Sequence, residues 1–221
     1  MGSGGGFPID LVLFGIIAAF LVLRLRSILG RRTGYERPPQ AYPTPADKPA
    51  GPVIEGHAEP TPAPTRPVPE AASATGQVIR RMQAIDGGFD PVRFLDGAEQ
   101  AFRIIVGAFA AGNRETLRNL LTPDTLHAFE AAIAEREAAG QTQRTEIRAI
   151  TSAIIEEAAM LNTLATLTVR YVSDQVSFVT GRDGQIISGT DALTEIADIW
   201  TFERDLASRD PTWRLVSARS A

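Results

Sequence analysis

The chain has 221 residues with 22 Lys+Arg, 26 Asp+Glu and no cysteine, giving a net charge of −4. The missing thiols exclude disulfides, thiolate metal centres and cysteine nucleophiles. Two histidines, His57 in a proline-rich tract and His127 in a helical run, leave little basis for zinc or triad chemistry.

Phe7 to Leu29 reads FPIDLVLFGIIAAFLVLRLRSIL. Its uninterrupted apolar part, Leu11 to Leu23, would span about 20 Å as a helix, short of a bilayer core of about 30 Å. Adding Phe7 to Ile9 and Leu25 to Leu29 reaches that length, with Asp10 near one interface and Arg24 and Arg26 able to snorkel to the other. A secretory signal would need a basic start, which MGSGGGFPID lacks, and no small-residue cleavage site precedes the basic run. A buried core helix would find nothing to pack on in the proline tract that follows. Residues 1–33 are therefore expected to form a single transmembrane anchor with a basic flank. Arg24, Arg26, Arg31 and Arg32 all follow the span as interface anchors, which places the N-terminus outside and the remainder in the cytoplasm, at a bacterial inner membrane.

Residues 34–75 are rich in Pro, Ala, Thr and Glu; eleven of the 15 prolines lie between Pro38 and Pro69. Such a stretch buries too little to fold and reads as a disordered tether. Its ends would sit on the order of 35 Å apart as coil and about 130 Å apart as a polyproline rod. Passive spacer and binding motif both remain open for it. Beyond it, residues 76–221 carry 15 Arg against 20 Asp+Glu, so the expected folded unit is acidic and a poor nucleic-acid binder.

Thr75 to Ile85 is a helix candidate with Val78, Ile79, Met82 and Ile85 on one side and Arg80 and Arg81 beside them. That pattern fits a helix resting on anionic lipid and equally a helix packed on the domain. Phe94, Leu95, Ala98, Phe102, Ile105, Val106 and Phe109 then recur at helical spacing. Asp90 is the expected cap, Pro91 the first helical residue, Phe89 and Phe94 a hydrophobic staple, and Gly112-Asn113 the stop. Arg114 to Leu121 is a short amphipathic helix. Thr122-Pro123-Asp124 restarts the chain as cap, first-turn proline and first-turn acid, in a helix to Ala139 with Leu126, Phe129, Ile133 and Ala132 inward.

The period then changes to two. Thr145 to Leu161, Leu164 to Val172, Gln175 to Thr180, Ala192 to Leu206 and Trp213 to Ala218 read as strands. Asn162-Thr163 and Gly181-Arg182-Asp183-Gly184 are the turn signals. Helices first and an antiparallel meander second predict an α+β domain, with helices on one face of a four-stranded sheet. Phe102, Phe109, Phe129, Trp200 and Phe202 are expected to meet there, lining a pocket or filling it.

Three stretches, FDPVRFLDGAEQAFRIIVGAFAAGN, LRNLLTPDTLHAFEAAIAEREAAG and DIWTFERDLASRDPTWRLVSA, occur in this order from Phe89 to Ala218. Together they resemble the Tim-forty-four-like domain, the C-terminal domain of the mitochondrial inner-membrane import-motor adaptor, which also occurs in alphaproteobacterial proteins. The anchor AAFLVLRLRSILGRRTG is similar to the start of the bacterial members. The resemblance implies a cone-shaped fold like the nuclear-transport-factor-two superfamily, with no enzymatic activity and no cofactor or metal. It also implies attachment to anionic, cardiolipin-containing membrane through N-terminal amphipathic helices of the domain. That makes Arg80, Arg81, Val78 and Met82 the expected lipid-binding residues.

In mitochondria the family recruits a seventy-kilodalton chaperone to the import channel. Here the long basic region before the mitochondrial domain is replaced by a span and a tether, so membrane-associated scaffolding is the part expected to carry over. The expected function is a membrane-anchored, non-enzymatic adaptor that docks a protein partner, a chaperone or translocation component, and anionic lipid. The alternative is a carrier of small apolar ligands or lipid in the domain pocket. An enzyme would want paired carboxylates, and the nearest candidates, Asp198 and Glu203, fall on opposite faces of a strand by parity.

Overall fold

The computed structural model describes residues 66–221; the expected membrane span, with Arg24, Arg26, Arg31 and Arg32, and most of the tether lie outside the described residues. Among the described residues no helix is long and apolar enough to cross a membrane. Four helices come first: α1 (Ala74–Ile85), α2 (Pro91–Ala111), α3 (Arg114–Leu120) and α4 (Pro123–Ala138). Four strands follow: β1 (Thr142–Leu161), β2 (Leu164–Thr180), β3 (Ile186–Asp205) and β4 (Arg214–Ser220), paired antiparallel in the order β1-β2-β3-β4.

The ends of α2 form by the chemistry its sequence offers. The Asp90 carboxylate accepts from the N–H groups of Val92 and Arg93 at 2.8 and 2.9 Å, and Pro91 needs no donor there. Phe89 and Phe94 lie 6.4 Å apart by ring centroid, as a staple should. At the far end Gly112 takes φ +70°, and the Asn113 N–H donates to the Ala108 carbonyl at 2.8 Å. One expected cap is different. The Thr122 side chain does not cap α4; its hydroxyl donates to Thr125 Oγ1 at 2.9 Å, and Thr125 in turn donates to the Val216 carbonyl. The hydroxyl is drawn away from its own helix because the Thr122 N–H is held by the Leu215 carbonyl at 3.0 Å, which ties α4 to β4.

The strands are longer than the sequence suggests. Ser173-Asp174 reads as a break, yet β2 runs straight through it, with Ser173 fully buried and opposite Ile196. β3 begins at Ile186 rather than Ala192: Gly189, at φ +79°, pairs with Phe178 inside the ladder, and the irregular stretch of the strand is Asp191 to Leu193, between the Ser177↔Thr190 and Gln175↔Thr194 pairs. A side chain at Gly189 would collide with the Ser177 carbonyl, so glycine is required there. Further register shifts at Ile147/Ala149, Ile150/Ser152 and Ile155/Glu157 curve β1. Asn162 at φ +56° closes the β1–β2 hairpin as expected.

The concave face of this curved sheet takes the apolar stripe of α2. Phe102, Ile105, Leu167, Val169, Tyr171, Phe202 and Leu215 are all at most 1% exposed and form one cluster with Leu95 and Met82. Burying residues of this size supplies about 1.5–3 kcal/mol each, the main term holding helices to sheet.

Candidate docking groove

The five aromatics expected to line a pocket divide into two groups. The Phe102 ring stacks on Tyr171 at 4.5 Å and 18° and meets Trp200 edge-on at 4.6 Å; Trp200 lies 6.3 Å from Phe202. These three are buried and fill the space between α2 and the sheet, so they do not line an open cavity. Phe109 and Phe129 form a separate half-buried pair at 5.0 Å on the far side of α2. The Arg136 guanidinium lies 5.1 Å from the Phe109 ring centre and donates to the Phe109 and Ala110 carbonyls. Burial pulls its pKa below the usual arginine value. Phe109 and Phe129 diverge from the others because the stripe of α2 is too long for one contact: its last turns meet α4, not the sheet.

An open groove of about 360 Å³ lies elsewhere, at the N-terminal end of α2, and of the five only Phe202 reaches it. Its floor is Phe89, Phe94 and Ala98 from the α2 start and Trp213 from the segment before β4. Trp213 lies 4.9 Å from Phe94 and 5.7 Å from Phe89, and Phe94 lies 6.0 Å from Phe202. The groove exists because Gly97 and Ala101 leave one side of α2 bare; a Cβ added at Gly97 would meet nothing within 4 Å.

Charges at the rim are unequal. Arg204 is tied to Asp86 at 3.0 Å and donates to the Asp210 carbonyl at 3.3 Å. Asp90 is spent on the helix cap. Asp210 holds the opposite wall through the Thr212 N–H at 3.0 Å and Arg214 at 2.9 Å; the Thr212 contacts lead in pulling its carboxyl down to about 2. Arg93 is exposed and forms no ion pair among the described residues. The groove thus presents an aromatic floor with one uncommitted cation at its edge.

The expected lipid-binding helix is placed differently from its sequence pattern. Arg80 and Arg81 are exposed on α1, Val78 is half-buried, and Met82 is fully buried with Ile79 in the cluster beneath β1. Met82 is therefore a core residue and not a surface for lipid: the apolar side of α1 is taken up by the domain. The described chain also reaches back ahead of the expected domain start at Gly76. The Arg66 guanidinium pairs with Asp96 at 2.6 Å and with Glu99, both on α2, so the end of the tether is fastened to the domain.

Asp198 is buried and Glu203 half-buried, on opposite faces of β3 as parity requires. No group of three metal-ligating side chains occurs among the described residues. Sequence periodicity gave no hint of the groove, since Gly97 and Ala101 read only as weak helix positions. The signal was Trp213, too polar in its surroundings to be an interior strand residue.

These elements define an α+β domain in which helices back one face of a four-stranded antiparallel meander, with an interior filled by side chains. A family model for the Tim44-like domain matches residues 75–220, and the chain belongs to that family. The family is one of non-enzymatic adaptors. No curated protein matches the chain. Among solved structures, the intermembrane space region of the chloroplast protein ARC6 is similar at 11% identity and a TM-score of 0.43, over 60% of this chain and 99% of that one. A conserved protein of Planctomyces limnophilus shares 20% identity at a TM-score of 0.32, over 55% and 89%. A dehydratase of the NTF2-like family from Streptomyces avermitilis, so named by its authors with reserve, shares 14% at 0.33, over 58% and 96%.

Proposed function

We propose that the chain is a membrane-anchored adaptor that docks a protein partner in the groove at the start of α2, at the cytoplasmic face of the inner membrane. The observation carrying this reading is the contrast between a filled interior and an open aromatic groove with Arg93 unpaired at its rim. A partner segment would set an aromatic or aliphatic side chain against Phe89, Phe94 and Trp213 and a carboxylate near Arg93. Clustered, rigid aromatics beside an arginine are the residue types that dominate binding energy at protein interfaces. A chaperone or a translocation component is the partner class the family suggests. Arg80 and Arg81 supply a weak electrostatic contact to anionic lipid such as cardiolipin, and the tether keeps the domain concentrated at the membrane. The carrier reading loses its interior site to Phe102, Trp200 and Phe202.

The test is a photo-reactive residue at Gly97 in the full-length protein in native membranes, with a control at Asp183 in the β2–β3 turn. The reading expects a discrete protein adduct from Gly97 alone, lost on Arg93→Glu. Equal adducts from both positions, or lipid adducts only, would overturn it.

A further inference from the structure

In β2 the buried residues Ala165, Leu167, Val169 and Tyr171 turn inward onto the helices. Arg170, Val172, Asp174, Val176 and Phe178 therefore stand on the opposite, convex face of the sheet. Directly paired residues share a face, which adds Ile154 and Ser152 from β1 and Glu195, Ala197 and Ile199 from β3. Toward the β1–β2 turn this face is polar, with Thr168 opposite Thr201 and Thr166 opposite Glu203, as suits a sheet facing water. Its middle is apolar. Ile154, Val172, Val176, Phe178 and Ile199 lie there, and the interior cluster that joins helices to sheet contains none of them. An apolar patch of this kind, set outside the core, marks a contact surface.

The charges that flank the patch are ordered along the strands. One rung is acidic, with Asp174 directly opposite Glu195. Two residues back, Val172 lies between Ser152 and Ala197. Two further back the rung is basic, with Arg170 opposite Ile199 and Ile199 opposite Arg219. Asp174, Glu195 and Arg219 form no ion pair among the described residues. Arg170 reaches Glu156 only at 3.7 Å, with side chains 39% and 33% exposed, a weak pairing. Like charges directly opposite on one face repel, so the acidic rung gains from cations brought to it.

We propose that this convex face is an interface between two copies of the chain, related by a two-fold axis that crosses the strands at Val172. Rotation about that axis turns the second sheet face-down and reverses its strands. Each residue ahead of Val172 then meets one the same distance behind it. Asp174 faces Arg170 of the partner subunit, and Glu195 faces Ile199 and Arg219 of the partner subunit; symmetry repeats both contacts. The order acidic, apolar, basic is its own complement when reversed, which is why the occupant is a second copy. At the axis Val172, Ala197 and Ser152 meet their own counterparts, and their small size lets the sheets stack at the usual spacing of about 10 Å. Arg219, on the edge strand, stays at the solvent-facing rim. This face lies across the sheet from the groove and does not depend on it.

The experiment is oxidative cross-linking of the full-length protein in native membranes, read on a non-reducing gel. The chain has no cysteine, so Val172→Cys introduces a single thiol, placed on the axis. It is expected to give a disulfide-linked band at twice the chain mass. Thr166→Cys, on the same face but six residues along, is expected to give none, because its two copies would lie about 40 Å apart. Adding Asp174→Arg to Val172→Cys sets two arginines against each other and is expected to lower the yield about tenfold. Adding Arg170→Asp as well exchanges the two charges, so opposite signs meet across the axis again and the yield is expected to return. That recovery also shows that the single reversal did not act by unfolding the domain. No band from Val172→Cys, equal bands from Val172→Cys and Thr166→Cys, or a loss that the double exchange leaves unrepaired would overturn the proposal. So would a Val172→Cys adduct to a different protein, which would assign the face to that partner.

Discussion

Replacing Phe102 by alanine separates a filled interior from a lined pocket. Phe102 is 0% exposed and touches two other rings, Tyr171 at 4.5 Å and Trp200 at 4.6 Å. Truncating a buried phenylalanine costs about 3–5 kcal/mol, through lost transfer energy and the cavity left behind. The two ring contacts place this site toward the upper end, since each is worth about 0.5–1.5 kcal/mol beyond area. A domain of this size holds only about 5–15 kcal/mol in all, so the variant should lie near its folding threshold. Urea denaturation of residues 66–221, followed by far-UV circular dichroism and Trp fluorescence, reads the loss directly. The cavity created should stay dry and bind a small apolar molecule such as benzene, which partly restores stability. A loss below about 1 kcal/mol would refute the reasoning. It would mean that the ring borders open space in the native protein and that the carrier reading has an interior site after all.

Other outcomes follow from the same geometry. The buried Tyr171 hydroxyl has no hydrogen-bond partner among the described residues, so Tyr171→Phe should stabilise the fold by about 1 kcal/mol in the same denaturation assay; a destabilised variant would contradict this. Burial leads in raising the Tyr171 pKa, so its contribution is intact below about pH 10 and is lost as pH climbs through the raised value. The phenylalanine variant should lack that alkaline loss. The Asp210 carboxyl is held down to about 2, so its contribution to the turn before β4 is full above its ordinary 3.8 and disappears as pH falls through about 2. Carboxyl NMR titration checks this, and a midpoint near 3.8 would count against the Thr212 and Arg214 contacts. On cardiolipin liposomes, residues 66–221 should bind weakly and lose binding on Arg80→Glu plus Arg81→Glu. Met82→Ala should leave liposome binding of the folded protein unchanged while costing about 2–5 kcal/mol in urea; the reverse pattern would put Met82 at the lipid.

How much of this was legible depends on the range of the interaction. The cap, staple and stop of α2 are fixed by neighbours in sequence, and Asp90, Phe94 and Gly112 read correctly. The alternation of Ala165, Leu167, Val169 and Tyr171 gave the inward face of β2. Strand ends were less legible, because Gly189 looks like a loop residue until its pairing with Phe178 places it inside the β2–β3 ladder. For α1, apolar periodicity identified a buried face but could not say what buried it; β1, far along the chain, decides that for Met82. The groove was invisible for the same reason, since it is a shape formed where Gly97 and Trp213 approach from distant parts of the sequence. Arg66 looked like tether, and only its distance to Asp96 and Glu99 attaches it to the domain.

The claim on which everything else rests is that the domain works beside the inner membrane on its cytoplasmic side. Because the chain has no cysteine, a single cysteine placed at the exposed Arg219 can be labelled with a membrane-impermeant maleimide. The account predicts that the protein stays in the membrane through a high-salt wash and is labelled only after the inner membrane is opened. Labelling in intact cells with only the outer barrier removed, or release of the full-length protein by salt, would contradict it.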